Sequence, residues 1–120
     1  MSCTRRRRRS PVPGGFRSRP RRAGGAAILS ESERVYTGVC VDTGSSMGFC
    51  AEHAAAGAMI TAGESRVIRM VAVRWDGRIM PPCGRCREFI RQIHKDNLEA
   101  EVMVEEGVIV TLRELLPYGG

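Results

Sequence analysis

Two short motifs bring together residue types that bind metals and move protons. One is a Cys-Ala-Glu run that begins at Cys50, and the other a Pro-Cys-Gly-Arg-Cys run that supplies Cys83 and Cys86. Residues three apart on a helix share a face, so the latter two sulfurs can be directed at one point. A third thiolate from Cys50 leaves one tetrahedral position open, the pattern of a catalytic rather than a structural zinc. The motifs therefore predict a zinc site on these three cysteines, with Glu52 close to it.

The charge at such a site also depends on its surroundings. Three thiolates around Zn²⁺ sum to −1, which weakens the ability of the ion to acidify water. Both motifs are predicted to open helices, and the partial positive charge of a helix N-terminus offsets this effect. Arg85 and Arg87 lie beside the ligands in sequence. They are predicted to donate hydrogen bonds to the sulfurs, the alternative for each being a surface salt bridge.

A sheet and two helices are predicted to position the motifs. The alanine-rich run 50–61 favours a helix, and the stripe of Phe89, Ile90 and Ile93 indicates an amphipathic helix over 83–95. β-branched and apolar runs bounded by Gly, Pro and Asp predict strands. These strands lie at 26–29, 35–41, 67–75, 100–104 and 108–111. The order β-β-α-β-α-β-β predicts an α/β domain.

Composition separates a basic segment from a mildly acidic domain. The chain has 120 residues, 42% of them hydrophobic, which fits one domain. Residues 1–22 contain nine arginines and no Asp or Glu. Residues 23–120 contain the other ten Lys and Arg and all 13 Asp and Glu, so the net charge of that part is −3. We therefore expect a disordered Arg- and Pro-rich extension over 1–22 and a folded domain over 23–118. The acidic domain argues against a nucleic-acid partner, and the short apolar runs argue against a membrane.

Cysteine content bears on the compartment. The five cysteines are an odd number, and no secretory signal is evident in the sequence. This combination favours a reducing environment, so we expect a cytoplasmic protein.

The paired motifs, about thirty residues apart, resemble those of the cytidine deaminase family. Within that family the sequence is most similar to the blasticidin-S deaminase branch, on residues 82–87 (PCGRCR) and 112–117 (LRELLP). Residues 36–39 (YTGV) also resemble the second strand of the family. The resemblance covers about residues 23–118.

The resemblance implies a three-layer α/β fold with a mixed, about five-stranded sheet packed by helices. It also implies a catalytic zinc ion on the three cysteines, Glu52 as proton shuttle, and the Ala51 N–H as a contact to the base carbonyl at C2. The implied reaction is hydrolytic deamination of a cytosine nucleoside (cytidine or deoxycytidine), or of an analogue such as blasticidin S, to the uracil form with release of ammonia. This is the chemistry of a hydrolase acting on a cyclic amidine in pyrimidine salvage. A homo-oligomer, either tetramer or dimer, is implied as well.

Three positions depart from the family pattern. Cys40 and Asp42 stand where the family has Asn-x-Glu to hold the ribose. Asp42 can still accept a sugar hydroxyl, whereas Cys40 cannot replace the paired donor and acceptor of an amide, which argues against ordinary cytidine as the preferred substrate. His53 stands where arginine is common. It is either a pH-dependent donor near the zinc site or a histidine on the helix surface.

Other functions remain as alternatives. A non-enzymatic module would hold zinc in a closed set of Cys40, Cys50, Cys83 and Cys86. An editing enzyme for RNA or single-stranded DNA is suggested by the arginine run, although such enzymes usually carry His at the position of Cys50. A thioredoxin-like redox site would use the Cys-x-x-Cys pair but leaves the Cys-Ala-Glu run unexplained.

Overall fold

Six strands and two helices make up the part of the chain that the computed structural model describes, residues 21–42 and 48–118. The strands are β1 (Arg21–Ser30), β2 (Val35–Asp42), β3 (Val67–Arg74), β4 (Ile79–Met80), β5 (Glu101–Glu105) and β6 (Val108–Thr111). The helices are α1 (Ala51–Thr61) and α2 (Gly84–Ile93), and short 3₁₀ turns cover Asn97–Glu99 and Arg113–Leu115. The predicted order of elements is confirmed, with β4 as an additional short strand.

The strands form one mixed sheet. Its order is β2-β1-β3-β5-β6, and β4 pairs with β3. The β3–β5 pair is parallel, and the other pairs are antiparallel. Parallel neighbours need a crossover connection, and the chain from β3 to β5 runs through α2. The mixed α/β fold expected from the sequence is therefore confirmed, with six strands where about five were expected.

One row of side chains across the sheet forms the centre of the core. The register aligns Tyr36, Ile28, Met70, Val102 and Val110 on neighbouring strands. Residues that lie opposite one another in the register point to the same side of the sheet, so all five side chains lie on one face. Helix α1 packs on this face with small side chains, since its alanines 51, 55 and 56 are buried together with Met59.

A glycine in β2 allows α1 to approach the sheet closely. A Cβ atom on Gly38 would lie 2.5 Å from the Ala55 nitrogen and 2.7 Å from both the Ala51 carbonyl oxygen and the Ala54 Cβ. These separations are shorter than any ordinary van der Waals contact. Only glycine therefore fits where β2 crosses the first turns of α1.

A buried asparagine ties the C-terminal end of α2 to the start of β3. Asn97 is fully buried. Its Oδ1 accepts from the Val67 N–H at 2.8 Å, and its Nδ2 donates to the Ile90 and Ser65 carbonyls, both at 2.9 Å. One side chain thus satisfies three backbone groups that packing would otherwise leave unpaired.

A carboxylate ties the segment after α1 to the β1–β2 hairpin. Glu64 accepts hydrogen bonds from the Tyr36 hydroxyl at 2.6 Å and from the Ser30 hydroxyl at 3.0 Å. These donors, with Tyr36 contributing most, lower the pKa of Glu64 from 4.5 to about 2.

The N-terminal boundary differs from the expectation. Strand β1 begins at Arg21, two residues before the expected domain start at 23. The rest of the predicted extension, 1–20, lies outside the described residues. Among the described helices, neither is long and apolar enough to cross a bilayer.

Candidate active site

Both predicted cysteine motifs occupy the same position relative to their helices. Cys50 is the N-cap of α1 (φ −77°, ψ 152°), and Cys83 is the N-cap of α2 (φ −70°, ψ 164°). The carbonyl of each accepts the first helical hydrogen bond, from Ala54 at 3.2 Å and from Arg87 at 3.0 Å. An extended N-cap turns the chain sharply into its helix. Two helix N-termini, each with partial positive charge, therefore carry these thiols.

The structure brings three sulfurs together across the two helices. Cys50, Cys83 and Cys86 are buried, carry free thiols and form a cluster of their own. The Sγ atoms of Cys50 and Cys83 are 3.7 Å apart, those of Cys83 and Cys86 are 3.2 Å apart, and all three lie within 4.8 Å of one another. Zinc–sulfur bonds of about 2.3 Å in a tetrahedron place sulfurs about 3.8 Å apart. The cluster is close to that spacing.

The cluster is electrostatically suited to a cation. Hydrogen bonds with the Cys50 and Cys86 sulfurs lower the pKa of Cys83. Contacts with the Cys50 and Cys83 sulfurs, together with burial, raise the pKa of Cys86. The pKa of Cys50 is also raised, mainly by its contact with Cys83. One thiolate is favoured, and further ones at this separation repel it. Three thiolates here require positive charge at their centre, and a soft divalent ion such as zinc suits this donor set.

Glu52 lies beside the cluster and is largely shielded from water. It is the second residue of α1 and only 5% exposed. Burial raises the pKa of this carboxyl, and the nearby Cys83 sulfur raises it further. A carboxyl with a raised pKa holds a proton more readily than an exposed carboxylate does, which suits a group that accepts a proton and passes it on.

His53 contacts the cluster directly. Its Nδ1 lies 3.3 Å from the Cys86 Sγ, and its ring stacks on Phe89 with centroids 4.4 Å apart and an interplanar angle of 19°. Burial lowers the pKa of His53, and the charge of Arg85 lowers it further. The structure therefore favours the alternative in which His53 is a donor near the candidate zinc site over the alternative of a surface histidine.

The two arginines do not have the predicted contacts with sulfur. Arg87 donates from Nε to the Pro82 carbonyl at 2.8 Å and from Nη1 to the Leu115 carbonyl at 3.3 Å. Arg85 is exposed, and no hydrogen bond joins it to the three described sulfurs. The predicted donation from Arg87 to a thiolate is thus wrong, because its guanidinium is occupied by the backbone on either side of the site. Arg87 fixes the peptide that enters Cys83.

Cys40 does not join the three-cysteine group. It is fully buried in the main core with Ala51 and Ala55, apart from the cluster of three sulfurs. Among the described residues, the group with metal-ligand spacing contains three cysteines and excludes Cys40. The structure gives the closed four-cysteine set no support, because Cys40 packs in the main core and not in the cluster.

The predicted substrate contacts flank the cluster in sequence. Asp42 is the last residue of β2. Ala51 is the first residue of α1, so its N–H has no partner within the helix.

The fold and the site define an α/β protein with a candidate three-cysteine metal centre, and comparisons with known proteins agree. The crystal structure of cytidine deaminase from Mycobacterium tuberculosis superposes with a TM-score of 0.73 at 31% identity, over 89% of this chain and 81% of that one. The Mycobacterium leprae enzyme gives a TM-score of 0.72 at 30% identity, over 80% and 79%. The chain belongs to the cytidine deaminase family.

The sequence comparison covers less of the chain. Cytidine deaminase of Mycobacterium tuberculosis (strain H37Rv) is 37% identical over 67 residues, 55% of this chain and 50% of the relative. The match thus spans about half the length of the curated relatives. No protein-family profile matches the chain.

Two features of the site were missed from the sequence. The close approach at Gly38 had a signal, since an isolated glycine in a β-branched strand indicates that another backbone comes near. The contact between His53 and Cys86 had only a weak signal in the sequence. Each residue is the third of its helix, but nothing in the sequence states that the two N-termini face each other.

Proposed function

We propose that this protein is a zinc-dependent hydrolytic deaminase that converts a cytosine nucleoside, or a cytosine-bearing analogue such as blasticidin S, to the uracil form. The observation that carries the proposal is the convergence of three free thiols from two helix N-termini beside a buried carboxyl. A purely structural zinc site does not need that carboxyl. Membership of the cytidine deaminase family supports the same reaction.

Cys50, Cys83 and Cys86 would hold the zinc ion. When bound, zinc would supply Lewis-acid activation of the water that replaces the amino group. The three sulfurs leave one tetrahedral position for a ligand other than protein. Their place at two helix N-termini reduces the excess negative charge of a three-thiolate set.

Glu52 is proposed to move protons between water, the base and the leaving group. Its carboxylate would accept a proton from the attacking water, deliver it to ring N3, and later help protonate the departing ammonia. These steps need a carboxyl that is close to the reacting atoms and is not held in a permanent ion pair. Within the described residues, no salt bridge involves Glu52.

Backbone and side-chain groups near the cluster are proposed to orient the substrate. The Ala51 N–H would donate to the carbonyl at C2 of the base, because the first N–H of a helix is free to bind a ligand. Asp42 would accept a hydroxyl on the sugar side, and Cys40 occupies the neighbouring position of the sugar-binding pattern. The loss of an amide at Cys40 favours a substrate other than ordinary cytidine.

We also propose a cytoplasmic homodimer or homotetramer that acts in pyrimidine salvage. The sheet face opposite the helices supports assembly, since it exposes apolar side chains such as Val35 (64%) and Ile109 (51%). Light scattering on the purified protein tests the subunit number; a monomer at all concentrations would overturn this part.

The central experiment measures ammonia release and loss of cytosine absorbance on a panel of cytidine, deoxycytidine, blasticidin S, cytosine and adenosine. The wild type is compared with Glu52→Gln, which preserves shape but cannot carry the proton. We expect activity on a cytosine compound and a loss of about 10²–10⁴-fold in the variant. Glu88→Gln serves as a matched control, because Glu88 lies on the surface of α2 and pairs with Arg91.

Zinc content and coordination are determined on the same samples. The proposal predicts one zinc per chain, with three sulfurs and one lighter atom in X-ray absorption at the zinc edge. Four sulfurs would favour the structural module. Equal activity of wild type and Glu52→Gln, or inactivity of a zinc-loaded wild type on every compound, would refute the deaminase.

A further inference from the structure

The His53 ring is held between a metal-site cysteine and an aromatic side chain. On one side its Nδ1 lies 3.3 Å from the Cys86 Sγ, and its face stacks on Phe89. Cys86 and Phe89 are three residues apart on α2, so one face of that helix presents both of them. The ring is thus fixed in position and in plane by two contacts from the opposite helix.

The chemistry of the thiolate determines which atom carries the proton. A cysteine that ligates a metal has lost its proton and is only a hydrogen-bond acceptor. An imidazole nitrogen within hydrogen-bond distance of it must therefore be the donor. His53 then has its hydrogen on Nδ1, and its Nε2 is an acceptor.

We infer that His53 is a positioning residue of the metal centre, whose Nδ1–H donates to the Cys86 thiolate and whose ring plane is set by Phe89. The inference rests on the proposed zinc site and adds to it a residue that tunes one specific sulfur. Donation to a thiolate withdraws electron density from the sulfur and so tunes its bond to a metal ion. His53 should therefore strengthen metal binding and reduce the charge that Cys86 transfers to the ion.

The arrangement explains how the site compensates its negative charge without a direct arginine contact. Arg87 is occupied by two carbonyl groups, and Arg85 makes no hydrogen bond to the described sulfurs. The His53 Nδ1 lies within hydrogen-bond distance of a cluster sulfur, at 3.3 Å from the Cys86 Sγ. Loss of its N–H leaves the Cys86 thiolate with one donor fewer.

The test uses the full chain and two substitutions at one position. His53→Leu keeps an apolar side chain against Phe89 but removes the donor, whereas His53→Asn places an amide nitrogen near the position of Nδ1. Zinc affinity is measured by competition with a chromogenic chelator at fixed pH. We expect His53→Leu to bind zinc about 10–100-fold more weakly than the wild type, and His53→Asn to recover most of the affinity.

Cobalt substitution provides a readout that does not depend on turnover. The energy of the thiolate-to-cobalt charge-transfer band reports electron density on sulfur, so His53→Leu should shift this band to longer wavelength. His53→Asn should return it toward the wild-type position. The matched control is His94→Leu, since His94 lies at the other end of α2 and accepts from the Asp96 N–H. It should change neither zinc affinity nor the band.

The outcomes separate this inference from the proposed function. Zinc affinity and cobalt band unchanged in His53→Leu would overturn it, and so would equal losses in His53→Leu and His53→Asn, which indicate a packing role. A wild type that binds no metal would overturn both proposals. A wild type that binds zinc but deaminates nothing refutes the function alone, and the expected shift in His53→Leu would still support the role of His53.

Discussion

Helices α1 and α2 both begin at an extended cysteine, yet different contacts hold them in place. Helix α1 lies directly on the sheet through small side chains, and Gly38 lets its backbone approach β2 closely. Helix α2 buries less of its surface and is anchored by polar side chains. Arg87 binds the carbonyls of Pro82 and Leu115 near its start, and Asn97 binds the Ile90 carbonyl near its end.

The difference follows from what each helix contributes. The two cysteines of α2 are three residues apart, so the helix itself sets their spacing whatever its exact position. Cys50 and Glu52 lie at the start of α1, whereas the other two sulfurs of the candidate centre lie at the start of α2, so the contribution of Cys50 and Glu52 depends on where α1 is placed. Close packing defines position more strictly than hydrogen bonds at the ends. Disturbing the support of α1 should therefore harm the site more than disturbing that of α2.

The largest effect is expected for Gly38→Ala. The new Cβ would meet the Ala55 nitrogen at 2.5 Å, a contact that forces α1 away from β2. We expect a loss of about 3 kcal/mol in the free energy of unfolding, together with loss of deaminase activity, measured by urea denaturation and ammonia release.

Gly57→Ala is the matched control for this substitution. Gly57 lies within α1, and a Cβ there meets nothing within 4 Å. Removing a glycine from the helix interior should stabilise the protein by about 0.5–1 kcal/mol. Similar behaviour of the two alanine variants would contradict the view that close packing positions α1.

A smaller effect is expected for Asn97→Ala on the α2 side. The substitution leaves the buried Val67 N–H without its partner and removes the bond to the Ile90 carbonyl. We expect a loss of roughly 1–3 kcal/mol in urea denaturation. Zinc affinity should change little, because the spacing of Cys83 and Cys86 is set within α2.

The control for Asn97→Ala is Gln92→Ala, an exposed position on α2. It should stay within about 0.5 kcal/mol of the wild type. If Asn97→Ala reduced zinc affinity as strongly as Gly38→Ala does, the proposed contrast between the two helices would be lost.

The smallest expected effect is a change in stability at acidic pH, and it depends on Glu64, which follows the C-terminal end of α1. The folded pKa of Glu64 is about 2, below its ordinary value of 4.5, because the Tyr36 hydroxyl donates to it. A depressed pKa means that the stabilisation is complete above pH 4.5 and is lost as the pH falls toward 2. Glu64→Gln should thus be less stable at pH 7 but lose less stability between pH 5 and pH 3.

Melting temperatures of wild type and Glu64→Gln across that range measure this difference. Tyr36→Phe removes the donor and should reduce the acid sensitivity in the same direction. Parallel pH profiles for wild type and Glu64→Gln would show that the carboxylate does not link α1 to the hairpin.

Much of the fold was predictable because its signals are local. The alanine-rich run and the stripe at 89–93 specify helices through their own periodicity and propensity, and β-branched runs specify strands. The two-residue strand β4 was missed, since its pairing with Ala72 and Val73 comes from a partner strand and not from its own residues. The start of β1 at Arg21 was missed for the same reason: Arg21 pairs with Asp42 despite a basic, glycine-rich context.

The candidate site divides in the same way. The three cysteines of the cluster were predicted from residue type and spacing, because cysteines three apart at the start of a helix can direct their sulfurs at one point. The contacts of His53 and Arg87 did not follow, because each depends on groups that are distant in sequence. For Cys40 the sequence suggested a contact that the structure does not show. As a fourth cysteine it indicated a possible closed site, but the fold places it in the main core.

By itself, the sequence determined the chemistry available to this protein: three cysteines with soft donor atoms, one carboxyl close to them, and two helices that begin where those cysteines lie. The tertiary structure decided how these parts meet. It brought Cys50 to within 3.7 Å of a sulfur 33 positions away, aimed the His53 ring at Cys86, and assigned Arg87 to the backbone. The physical reason is that side-chain type and helix periodicity are local properties, whereas the approach of two helix ends depends on packing against a shared sheet.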